Sequence, residues 1–152
     1  DYDSALLALK EMVDLIVLEL IDRGVMTNSI SLHVGYSKND ERPVGGTRKL
    51  ENYTDSLEKL THEFEYIFSH KVDKKRLIRK LTVGLNNLSK HEYINLDFFT
   101  DYEAEEKERK KQAAILEIKK KYGKNSILKG MNLTKNATTP IRNKLIGGHN
   151  GE

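Results

Sequence analysis

The sequence predicts an α+β architecture: a small antiparallel sheet with two helices packed on one face, followed by a charged helix and an irregular tail. Three observations predict it. Two stretches, 4–23 and 55–71, repeat apolar residues at i, i+3 and i+4, as amphipathic helices do. Between and after them the period falls to two, the mark of half-buried strands. Each helix then has one apolar face to cover, and a shared sheet face covers both.

The first helix carries its stripe on Leu6, Leu9, Val13, Ile16, Val17, Leu20 and Ile21. Asp3 or Ser4 can cap its start, and Gly24 can supply the left-handed residue that ends it. Ile30, Leu32, Val34 and Tyr36 alternate with Ser29, Ser31, His33 and Gly35 as a first strand. Pro43-Val44-Gly45-Gly46 is turn material, and Thr47 to Tyr53 reads as a second strand. Asp55 with Glu58 three residues on reads as a capping box for a second helix. Leu57, Leu60, Phe64, Ile67 and Phe68 are its buried stripe. Leu77 to Leu88 reads as a third strand, with Leu81, Val83 and Leu85 facing the helices. A loop spans 91–103, a charged helix 104–123, and a basic tail 124–152. Three strands are few for an independent sheet, which leads us to expect a further strand before residue 1.

The chain has 152 residues, of which 38% are hydrophobic and 32% charged, enough for one modest core. It has no cysteine, which excludes a disulfide scaffold, a Cys-ligated zinc site and a thiol nucleophile. No apolar run approaches the roughly 20 residues of a membrane span. The net charge of +3 is unevenly distributed. From residue 118 onward eight Lys and Arg face only Glu152, so the last 35 residues carry +7 and the rest −4. A basic tail points to a polyanion partner or to a solvated extension.

The sheet face away from the helices can be read from the alternation. The first strand presents Ser29, Ser31, His33, Gly35 and Ser37, and Lys38 and Arg42 stand in the adjoining loop. Arg48 and Lys49 belong to the second strand, and Arg76, Arg79, Lys80 and Thr82 to the third. Small side chains admit a close backbone, and cations around them suit phosphates rather than bases. An ordinary solvated sheet face has a similar composition. Parity sets a difficulty: Arg48 shares its face with Leu50, and Arg79 with Leu81, unless a bulge releases them.

The order of local strings resembles the C-terminal part of Y-family translesion DNA polymerases, in the bacterial ImpB/MucB/SamB branch. The strings are Ser31 to Ser37 (SLHVGYS), Gly45 to Leu50 (GGTRKL), Ile78 to Leu88 (IRKLTVGLNNL), Asn95 to Phe99 (NLDFF), Tyr122 to Leu128 (YGKNSIL) and Arg142 to His149 (RNKLIGGH). The resemblance implies that residues 1–90 form a little-finger domain, a four-stranded sheet with two helices, whose first strand precedes residue 1. It implies contact with the phosphates of primer–template double-stranded DNA by Arg48, Arg79 and Lys80, and the outer-face reading adds Ser37, Lys38, Lys49 and Thr82 to the DNA-binding set. It further implies that Asn95, Leu96, Asp97, Phe98 and Phe99 are a sliding-clamp-binding peptide, with Asn95 where Gln is usual and Phe98 where Leu is usual. A bacterial cytoplasmic, nucleoid-associated protein of the SOS response to DNA damage follows from the same likeness.

Catalytic residues are not expected in this segment. The resemblance places the polymerase carboxylates and their Mg²⁺ in an upstream palm, so no cofactor is expected here. Asp97, Asp101, Glu103, Glu105 and Glu106 are acidic neighbours, but acids also suit a helix start. The histidines His33, His62, His70, His91 and His149 lack ligand spacing. Three Asn-X-Thr triplets, at Asn52, Asn132 and Asn136, have no accompanying sign of secretion. The competing class is a protein–protein interaction or oligomerisation module without DNA binding, docking on a partner or forming a homo-oligomer through 104–152.

Overall fold

A computed structural model describes residues 1–36, 42–90, 102–127, 137, 145–146 and 149–150. Helix α1 spans Tyr2–Arg23, followed by strands β1 (Val25–Tyr36) and β2 (Val44–Thr54), helix α2 (Leu57–Lys71), strand β3 (Ile78–Lys90) and helix α3 (Tyr102–Tyr122). Two short strands, β4 (Leu145–Ile146) and β5 (His149–Asn150), pair antiparallel with each other. The main sheet is antiparallel in the order β2-β1-β3, with α2 over β2 and β1 and with α1 over β3 and β1. This is the expected α+β arrangement.

The core lies where both helices meet the sheet. Leu9, Val13 and Val17 of α1, Ile30, Leu32 and Val34 of β1, and Leu60, Phe64 and Phe68 of α2 have no exposed surface. Leu81, Val83 and Leu85 of β3 pack against them from the edge. Alternation on β1 thus places Ile30, Leu32 and Val34 under the helices, and Ser31 and His33 outside.

Both helix starts differ from the expectation. Asp1, not Asp3 or Ser4, caps α1, its Oδ1 accepting from the Ser4 amide at 2.7 Å. Helix α2 is capped by Ser56, whose hydroxyl accepts from the Lys59 amide at 3.3 Å. Asp55 is displaced from the capping role into a different one: it receives Nε of Arg109 from α3 at 2.8 Å and Nη2 at 3.2 Å. Gly24 ends α1 as expected, at φ 67°.

Helix α1 is buried on two sides. Leu9, Val13 and Leu20 face the sheet and α2, whereas Glu11, Asp14 and Leu18 form a second buried row. Helical spacing puts Asp22 on that second row, and Lys120 of α3 reaches it at 2.6 Å. Helix α3 packs against α1, and Lys59 at the start of α2 pairs with Glu105 at 2.6 Å. The charged helix therefore docks on the helix layer through polar contacts. Its Gln112 is 2% exposed, and the amide nitrogen donates to Glu108 at 2.8 Å.

Candidate nucleic-acid interface

Strand register assembles the outer face row by row. Ser29 pairs with Lys49 on one side and Asn86 on the other; Ser31 stands between Thr47 and Gly84; His33 stands between Gly45 and Thr82; Gly35 pairs with Lys80. The floor of this face is small. A Cβ added at Gly84 would come within 2.5 Å of the Ser31 hydroxyl, and one at Gly35 within 3.3 Å of the Lys80 Cβ. Six residues of strand separate the Lys49 row from the Lys80 row, about 20 Å at 3.3 Å per residue. Cations thus stand at opposite ends of a platform three strands wide, with His33 exposed in a middle row.

The far end of the platform depends on a bulge. Gly35 pairs with Lys80 but Tyr36 pairs with Ile78, which leaves Arg79 as the extra residue of β3. Ile78 and Leu81 both pack on the core, so Arg79 and Lys80, between them, are both exposed. The parity difficulty over Arg79 is resolved by this insertion of one residue. Tyr36 fixes the same end. Its hydroxyl accepts from the Asp73 amide at 3.0 Å, and the Arg76 guanidinium lies 5.3 Å from its ring centre. Arg76 also pairs with Asp73 at 3.6 Å, so it braces the α2–β3 connection.

Arg48 takes the other outcome. It pairs with Ile30 in the register, on the helix side, and its guanidinium binds Glu63 of α2. The same group lies 4.1 Å from the ring centre of Tyr66, which stacks on His70 at 4.0 Å. The hydrogen bond to Glu63 raises the Arg48 pKa above its usual value, with desolvation opposing. Of the sequence-derived set, the platform brings together Lys49, Lys80 and Thr82, with Arg79 exposed at its end; Arg48 stands on the opposite face, bound to α2.

Ser37 and Lys38, and the clamp-like residues Asn95, Leu96, Asp97, Phe98 and Phe99, lie outside the described residues. The close packing of Gly35 and Gly84 has no local signal in the sequence, and only the register shows which residues each one faces. No group of three or more His, Asp or Glu gathers at metal-binding range among the described residues. Among them, too, no helix is long and apolar enough to cross a membrane.

Comparison with known proteins adds one match. No curated protein and no solved structure matches the chain. Residues 1–98 match the family model described as the impB/mucB/samB family C-terminal domain, and these residues contain both core helices and the whole three-stranded sheet. With nearly two thirds of its length matched and the α+β fold in place, the chain belongs to the impB/mucB/samB family, as a Y-family polymerase C-terminal region.

Proposed function

We propose that the outer sheet face grips the sugar–phosphate backbone of a primer–template duplex, for a translesion polymerase working past DNA damage. One observation carries this reading: a floor of Ser31, Thr47, Gly35 and Gly84 with Lys49 at one end and Arg79 and Lys80 at the other. Small residues let a backbone approach, and cations at the ends hold it through charge-assisted hydrogen bonds. Such contacts carry little sequence information, which suits a damaged template. Catalysis belongs to the upstream palm and its Mg²⁺, and this segment contributes grip and register.

The test is a salt titration of duplex binding by fluorescence anisotropy. Affinity should fall steeply with salt. Arg79→Ala with Lys80→Ala should lower it about 10–100-fold and reduce the logarithmic salt slope by about 2. Arg48→Ala should leave the slope unchanged, because Glu63 already holds that guanidinium. Absence of duplex binding at about 50 mM salt would refute the reading.

The segment Asn95 to Phe99 completes the proposal as a peptide for the bacterial sliding clamp, with Leu96 and Phe99 as apolar anchors. Leu96→Ala with Phe99→Ala should abolish retention on immobilised clamp; full retention by the double variant would rule this part out.

A further inference from the structure

Helix α3 and the basic tail remain outside the sheet's task, and α3 has two unlike sides. Its ion pairs to the rest of the domain run from Glu105, Arg109 and Lys120. On the outward side Lys107, Lys110, Lys111, Ala114, Ile118 and Lys121 recur at spacings of three, four and seven, and all are exposed; Glu103 and Glu117, exposed as well, share the spacing, which leaves the face net positive by two. Those four lysines make no ion pair among the described residues; Lys121 lies over the Tyr122 ring at 5.4 Å. From Lys107 to Lys121 the stripe is about 21 Å long, the rise of about six base pairs. Lys124, Lys129, Lys135, Arg142 and Lys144 continue the same sign along the chain, with no acid before Glu152.

We infer that the outward face of α3 is a second nucleic-acid contact, which binds a phosphate backbone without reading sequence. Charge complementarity selects this occupant. A second copy of the helix would bring lysines against lysines, and Ala114 and Ile118 supply too little apolar area to enter a lipid surface. Helix α3 packs on the helix layer rather than on the sheet's outer face, so the two contacts are separate. The inference does not rest on the sheet reading, and different variants report on each.

The test uses the 152-residue chain and a labelled duplex of random sequence. Lys107→Gln, Lys110→Gln, Lys111→Gln and Lys121→Gln together should reduce the salt slope by about 3–4, at about 0.9 per phosphate contact, and weaken binding at least tenfold. The matching quadruple Arg variant should bind as the wild type does. Lysine acetylation of the unaltered chain, read by mass spectrometry, should show these four positions protected by DNA whatever the variants do to folding. Unchanged acetylation with DNA bound, an unchanged slope in a Gln variant of normal helix content, or binding to anionic vesicles but not to DNA would each overturn the inference.

Discussion

Gly45→Ala should destabilise the domain by about 3 kcal/mol, combining backbone strain of about 1–3 kcal/mol with an overpacking term of similar size. Gly45 has φ 130°, outside the range that residues with a side chain adopt readily. A Cβ there would overlap the Leu32 carbonyl oxygen and lie 2.9 Å from its carbon, both of them backbone atoms of the central strand. No rotamer change relieves such a contact; β2 must move away from β1. For a chain of this length the loss corresponds to a fall in Tm of about 6–12 °C. Gly46 is the matched control. It pairs with Leu32, and a Cβ added there meets nothing within 4 Å, so Gly46→Ala should change Tm by little. Equal effects at the two glycines, measured by thermal unfolding, would show that close approach at Gly45 does not govern the hairpin. The site is coupled to the same measurement: Gly45 is the neighbour of His33 on the outer face, so a displaced β2 carries Lys49 and Thr47 with it.

The period-two and helical signals made the two core helices, the sheet and the direction of the outer face legible. Ile30, Leu32 and Val34 are buried and Ser31 and His33 are not, because burial on one face is what writes an alternation. Arg79 was ambiguous for the same reason: parity assumes an unbroken ladder, and one inserted residue reverses it without leaving a mark in composition. Arg48 obeys parity and stands on the helix side with Leu50, against its expected place on the outer face. Its partners Glu63 and Tyr66 lie 15 and 18 residues on, on another element, where no local pattern connects them. The second buried side of α1 was also hidden. Leu18 stands beside Glu11 and Asp14, and the α3 side chain that reaches the same row is Lys120, bound to Asp22, so the surface forms no apolar stripe. A polar interface between helices has no hydrophobic period to read.

Removing Asp55 should expose how much of the domain's stability depends on that polar interface. Its carboxylate side chain is 7% exposed and receives Arg109 through two nitrogens, and Arg109 is itself 19% exposed and also paired with Glu106. Breaking a fully buried pair from one side costs about 3–5 kcal/mol, because the remaining charge loses its partner without regaining water. Arg109 keeps Glu106 and some solvent, so Asp55→Ala should cost about 2–3 kcal/mol, or about 5–10 °C in Tm. The loss should fall on the α3 contact rather than on the sheet. Ser56 caps α2 independently, and Phe64 and Phe68 hold that helix to the core. Hydrogen exchange should therefore speed up along 102–122 and stay slow in β1. A double-mutant cycle with Arg109→Leu separates the pair from its surroundings. If the aspartate acts through Arg109, the double variant is less destabilised than the two single losses combined. Strict additivity would place the effect of Asp55 elsewhere, in the favourable field of a carboxylate beside the α2 N-terminus.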